Sequence, residues 1–153
     1  MKKSLLLIAF LFVGTANFAQ TNEYVELVRA VLETETKEAI ADVMDLNDTQ
    51  STDFWALYNE YEALSYFVKD KRIALIKDYA KNYGNISDEK ADELVKQFFA
   101  FKKEDMKLLE KYYKKMKKVI PATEAAKFLQ AINKIDDLVN AELALEIPMI
   151  ESN

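Results

Sequence analysis

Between Leu46 and Tyr83 the chain reads LNDTQSTDFWALYNEYEALSYFVKDKRIALIKDYAKNY. Phe54, Leu57, Tyr58, Tyr61, Leu64, Val68, Leu75, Ile76, Tyr79 and Tyr83 fall at helical steps along it. That spacing puts one apolar stripe on one long helix. At 1.5 Å per residue such a helix is about 50 Å long. A small globule cannot support a rod of that length, so the chain is expected to be an elongated assembly of helices. Only two glycines and two prolines occur in 153 residues, which again points to an all-α protein.

The first twenty residues are MKKSLLLIAFLFVGTANFAQ. Two lysines precede an apolar run from Leu5 to Val13, and a small residue, Ala19, closes the segment. The run is shorter than the roughly 20 residues a membrane span needs. The pattern is that of a secretory signal peptide over residues 1–19, cut after Ala19, leaving residues 20–153 as one exported domain in the periplasm. A lipoprotein would need a cysteine after the cut, and the chain has none. Stability must therefore come from packing rather than disulfides.

The remaining helices follow from their punctuation. A first helix is expected from about Asn22 to Met44, with Val25, Val28, Leu32, Ala39 and Val43 inward and a polar interruption at Thr34 to Lys37. Asn47 can cap the second helix, with Gln50 reaching back as a capping box and Asp48 favouring the positive helix end. That helix runs to about Asn82, where Gly84 supplies the left-handed stop. Ser87 caps the third, with Asp88 and Glu89 in its first turn. Its stripe is Ala91, Leu94, Val95, Phe98, Leu109, Tyr112, Met116 and Ile120, and it ends near Val119. Pro121 restarts the chain as a fourth helix to about Leu145, with Ala125, Phe128, Leu129, Ile132, Ile135, Val139 and Leu143 inward. Pro148 blocks further helix. The second and third helices have similar lengths and a short link. The expected fold is an elongated four-helix arrangement dominated by a long antiparallel helical hairpin.

Charge is segregated along the chain. Residues 20–66 carry two basic and eleven acidic side chains, residues 67–119 fifteen and nine, and residues 120–153 two and six. Such a chain can pair its own segments or present patches to partners. An acidic total argues against nucleic acid as a ligand. There is no histidine, so transition-metal sites and Ser-His-Asp or Cys-His nucleophiles lack their usual groups. No EF-hand spacing and no glycine-rich phosphate loop appear. Asp136 and Asp137 are adjacent on a helix and face different ways. No catalytic residue, metal ligand or cofactor is assigned, and the chain is not read as an enzyme.

Three features carry possible function. Polar residues interrupt the apolar stripes at Arg72, Lys102, Asp105 and Asp136, with Ser65 beside them. Folding at Asn85 and Pro121 gathers them near one height, as a register-fixing ion-pair layer or as a polar pocket. A second surface joins Lys102, Lys103, Lys107, Lys111, Lys114 and Lys115 with Tyr112, Tyr113 and Met116. It is read as a solvated face or one paired to the acidic first helix, or as a cationic, aromatic-flanked surface for unfolded or acidic polypeptides. Contact with an anionic membrane surface is a further candidate. Third, Trp55, Tyr66, Phe67 and Phe99 lie off the stripes, which implies a second buried surface: the first helix, or a homodimer interface.

Leu46-Asn47-Asp48-Thr49-Gln50 before a long helix resembles the LTxxQ element of the Spy/CpxP class of periplasmic helical proteins, with asparagine in place of threonine. The second such element would fall at Val119 to Glu124, where no glutamine follows in place. The chain resembles more closely a group of uncharacterised exported proteins carrying FWxLYxEY, LIxDYAxxY, K(V/I)xP-to-AxxFxQxxNKI and ELAxEIPxI. Here those are Phe54 to Tyr61, Leu75 to Tyr83, Lys118 to Ile135 and Glu142 to Ile150. The resemblance implies a Spy-like helical domain. It also implies ATP-independent chaperone binding of unfolded or envelope proteins, or, as the alternative, a stress sensor or adaptor docking one partner. Metal-binding relatives use histidines that this chain lacks.

Overall fold

The computed structural model describes residues 18–150, with side chains from residue 30 onward except residue 31. The expected signal peptide lies outside the described residues as far as residue 17. Four helices follow in order: α1 (Phe18–Val43), α2 (Asp48–Asn82), α3 (Asp88–Met116) and α4 (Ala122–Glu146). No strand occurs among the described residues, and the fold is all-α. No described helix is long and apolar enough to cross a membrane.

The punctuation works as its chemistry dictates. The Asn47 side chain accepts from the Gln50 N–H at 3.0 Å, and the Asn47 N–H donates to Gln50 Oε1 at 3.2 Å. This reciprocal box satisfies two otherwise orphaned donors. Ser87 Oγ accepts from the Lys90 N–H at the start of α3. Gly84 takes φ 85° in the link between them, a conformation that costs any other L-residue. α3 ends at Met116, earlier than the expected Val119. The Lys118 and Val119 N–H groups donate to the Lys115 and Met116 carbonyls, tightening the last turn. Pro121 drives the residue before it out of the helical region, so the chain must unwind ahead of it.

α2 and α3 form the antiparallel hairpin. Lys115 pairs with Glu60 at 2.7 Å, Lys71 with Glu104 at 2.5 Å, and Lys90 with Asp78 at 2.6 Å. Numbers rise on one helix as they fall on the other. The 35 residues of α2 span about 52 Å. α4 packs on α3 and on α1. Its C-terminal half is tied to α2 where Arg72 Nη2 donates to Asn140 Oδ1 and the Tyr79 hydroxyl donates to the Pro148 carbonyl, both at 2.7 Å.

The main core sits at one end of the hairpin, where all four helices meet. Ile40, Phe54, Tyr58, Tyr61, Leu109, Tyr112, Met116, Ile120, Ala125, Phe128 and Ile132 form it. Phe128 meets the rings of Phe54, Tyr58 and Tyr61 edge-on, at centroid distances of 5.9, 6.3 and 5.5 Å. Such pairs add about 0.5–1.5 kcal/mol each beyond their area burial. Glu124 closes this end: Oε2 accepts from the Asp45 N–H at 3.1 Å and Oε1 pairs with Lys127 at 2.7 Å. Lys127 and that N–H together hold its carboxyl below the usual carboxylate range.

Three stripes differ from expectation; on α2, Leu64 and Tyr83 are exposed. On α1, Ile40 enters the core while Ala39 and Val43 are exposed; Val25 and Val28 lie outside the described side chains. Leu32, Thr36 and Ile40 share the inward face, and the threonine hides its apolar period. Burying an isoleucine outweighs burying an alanine by several methylenes, each worth about 0.8 kcal/mol. On α3, Phe101 is buried, whereas Val95 and Phe98 are exposed.

Phe128→Ala is expected to cost about 3–5 kcal/mol, because it opens a cavity that three rings line. Gly84→Ala should cost about 1–2 kcal/mol. An added Cβ there meets nothing within 4 Å, so only backbone strain contributes. Denaturant midpoints of the two variants check both values and their order.

Candidate binding surfaces

The lysines of α3 divide by helix face. Leu109, Tyr112 and Met116 point into the core. Residues two positions further on point away from it, which turns Lys111 and Lys114 outward, and Lys118, in the turn after α3, is exposed beside them. With Lys107 and Lys115 they border a shallow, open depression of about 450 Å³ that also includes Glu110. Lys114 pairs with Glu110 on its own helix. Lys115 bridges to Glu60 and stands 4.6 Å over the Tyr112 ring. This ion pair holds the Glu60 carboxyl below its ordinary range and lifts the Lys115 ammonium above its own. Lys111 lies 5.6 Å over the same ring. Lys102, Lys103 and Lys107 are exposed.

The aromatic half of the expected surface is corrected. Tyr112 and Met116 are buried and belong to the core, not to a binding face. Tyr113 is half-buried, with Lys117 over its ring at 5.2 Å. The lysines form a polar stripe edged by the half-buried Tyr113 ring and by no fully exposed aromatic. The exposed aromatics lie further up the same helix. Val95, Phe98, Phe99 and Met106 are all exposed, Phe99 by 65% and Met106 by 61%. Their steps of three, four and seven place them on one face about 16 Å long. Lys102 sits in the middle of that face, 5.9 Å from the Phe98 ring and 5.7 Å from the Phe101 ring. Phe67, on α2, is 64% exposed. The off-stripe aromatics therefore do not share a second buried surface within one chain: Trp55 packs on the core, while Phe67 and Phe99 face solvent.

The expected polar layer forms in part. Arg72, Asp105 and Asp136 are half-buried and act on one another through space. Burial pulls the Arg72 guanidinium below its ordinary value, opposed by Asp136 and Asp105. Burial, reinforced by Asp136, pushes the Asp105 carboxyl up; Lys69, Lys102 and Arg72 offset part of this. The Tyr61 hydroxyl is raised by burial and by the same two carboxylates. The direct partner of Arg72 is the neutral Asn140, which periodicity alone gave no reason to single out. Ser65 Oγ is buried there without a hydrogen bond. Lys102 is not part of the layer: its long stem carries the ammonium past Phe98 and Phe101 into water. Among the described residues no three His, Cys, Asp or Glu side chains converge as a metal site would require.

No protein-family model matches the chain, and neither does any curated protein or solved structure.

Asp105 supplies a pH prediction. Its folded carboxyl ionises less readily than the unfolded one, so its ionisation weakens the fold. The penalty is present at neutral pH and disappears as the pH falls below the ordinary aspartate value of about 3.9. Asp105→Asn should raise the melting temperature at pH 7 and give no gain near pH 3. Thermal melts at the two pH values decide this.

Proposed function

We propose that this protein is an exported, periplasmic polypeptide-binding module that acts without ATP and without bond-making chemistry. Its surface captures unfolded or envelope proteins as a chaperone does. The observation that carries this is the face of α3 formed by Val95, Phe98, Phe99 and Met106, with Lys102 and Lys103 beside it. Contiguous exposed apolar surface rimmed by polar groups is a mark of protein interaction. Large aromatic rings supply contact area, and lysines on flexible stems accept many arrangements of an acidic or apolar segment. The signal-like N-terminal sequence supports the compartment, and the likeness of Leu46 to Gln50 to the LTxxQ element supports the class.

The test is suppression of aggregation of a reduced model client by stoichiometric protein at low salt. Phe98→Asp/Phe99→Asp should remove most of the suppression. Phe99 is 65% exposed and Phe98 44%, so the Phe99 change should shift folding stability by no more than about 0.5 kcal/mol and the Phe98 change by about 1 kcal/mol, which a denaturant melt of the variant checks. No suppression by the native chain, or equal suppression by the variant, would overturn the proposal. Capture of one dominant partner with no breadth of clients would replace it with an adaptor that docks a single protein.

A further inference from the structure

Only part of the segregated charge of this chain is neutralised within the molecule: Lys115 pairs with Glu60 and Lys114 with Glu110. α1 packs against α4 rather than against the lysines of α3. On α1, Ile40 is fully buried. Glu38 and Asp42 stand two residues to either side of it, so both point away from the core. Glu35 shares their outward face, and all three are exposed. None of the three has a hydrogen-bond or ion-pair partner among the described residues. On α3, Lys111 and Lys114 follow Leu109 and Tyr112 by two residues each and point outward in the same way, and Lys118, in the turn after α3, is exposed beside them.

The two stripes match in spacing. Glu35, Glu38 and Asp42 are separated by three and then four residues, as are Lys111, Lys114 and Lys118. Laid parallel, Lys111 and Lys114 fall across from Glu35 and Glu38 at matching helical spacing, and Lys118 lies beyond them in the turn after α3, toward the position of Asp42. Both stripes face away from the one core that α1 and α3 share, so they cannot meet in a single chain. We propose that they meet between chains: the acidic outer stripe of α1 in one copy docks on the lysine stripe of α3 in the next. Each copy gives a different patch to the contact, which makes it head-to-tail rather than two-fold symmetric. It leaves one acidic and one basic stripe free at the ends, so association continues beyond two copies unless the rotation closes a ring. The contact is electrostatic and wet, and therefore weak and steeply salt-dependent. It lies away from the Val95–Met106 face of α3 and does not depend on the polypeptide-binding role proposed for that face.

Sedimentation velocity across a concentration series tests this directly. At about 0.01 M salt, where the screening length is near 30 Å, the average mass should climb with concentration through several copies. At about 0.5 M salt it should fall to one copy. Lys111→Glu/Lys114→Glu/Lys118→Glu should abolish the climb, and so should Glu35→Lys/Glu38→Lys/Asp42→Lys. Mixing the two variants, or joining all six changes in one chain, should restore it, because complementarity is regained. If a reversed chain loses helix content, the corresponding glutamine variants carry the same test, with loss of the climb expected. A native chain that stays monomeric at low salt would overturn the proposal, as would association that survives both reversals. A monomer that instead cosediments with phosphatidylglycerol vesicles would assign the lysine stripe to a membrane surface.

Discussion

The edge-on packing of Phe128 against Phe54, Tyr58 and Tyr61 fixes how the helices are held. α2 and α3 could pair along their length with many registers, because their seam is mixed apolar and ionic. The aromatic cluster selects one. Rings need defined centroid separations and near-perpendicular planes to gain their extra energy, and Phe128 on α4 meets three rings of α2 in that way. Tyr112 extends the cluster onto α3, its ring 5.7 Å from that of Tyr61. Ile40 brings α1 into the same site. All four helices are thus fastened at one end of a rod about 52 Å long.

What lies beyond that cluster follows from it. The hairpin toward Gly84 keeps Val68, Leu94 and Phe101 buried, but α4 leans there toward α2 through Asn140 and Pro148. α3 is left with Val95, Phe98, Phe99 and Met106 in water. A closed bundle would have covered them. Fastening at one end is what lets a chain this small present long helix faces, apolar on one part of α3 and cationic on another.

Much of the fold was legible because helix punctuation is local. The Asn47–Gln50 box, the Ser87 cap, the left-handed Gly84 and the restart at Pro121 each act within a few residues, so sequence alone places them. The core at Phe54, Tyr58, Tyr61, Leu109 and Phe128 was legible because its period is unbroken. Burial along the far half of α3 was not. Val95 and Phe98 continue the apolar period, and nothing local says that α4 diverges before reaching them. The one signal was Lys102, a charge within the stripe, which marks where the stripe opens to solvent rather than where an ion pair is buried. Tyr112 and Met116 fit both the inward stripe and the lysine surface by sequence; surrounded by lysines, they face inward as helical phase places them. The partner of Arg72 was out of reach, since Asn140 lies 68 residues away and its polarity reads as surface.

Amide hydrogen exchange, followed by mass spectrometry, tests most directly whether the molecule is anchored at one end. Exchange from native protein reports local opening free energies, which reach the global value only where packing is densest. Peptides covering residues 54–61, 109–116 and 125–132 should exchange slowest and together. Those covering residues 76–98 should exchange at least about tenfold faster, each factor of ten marking about 1.4 kcal/mol less local stability. Uniform protection along the whole hairpin, or the slowest exchange at the Gly84 end, would contradict the account.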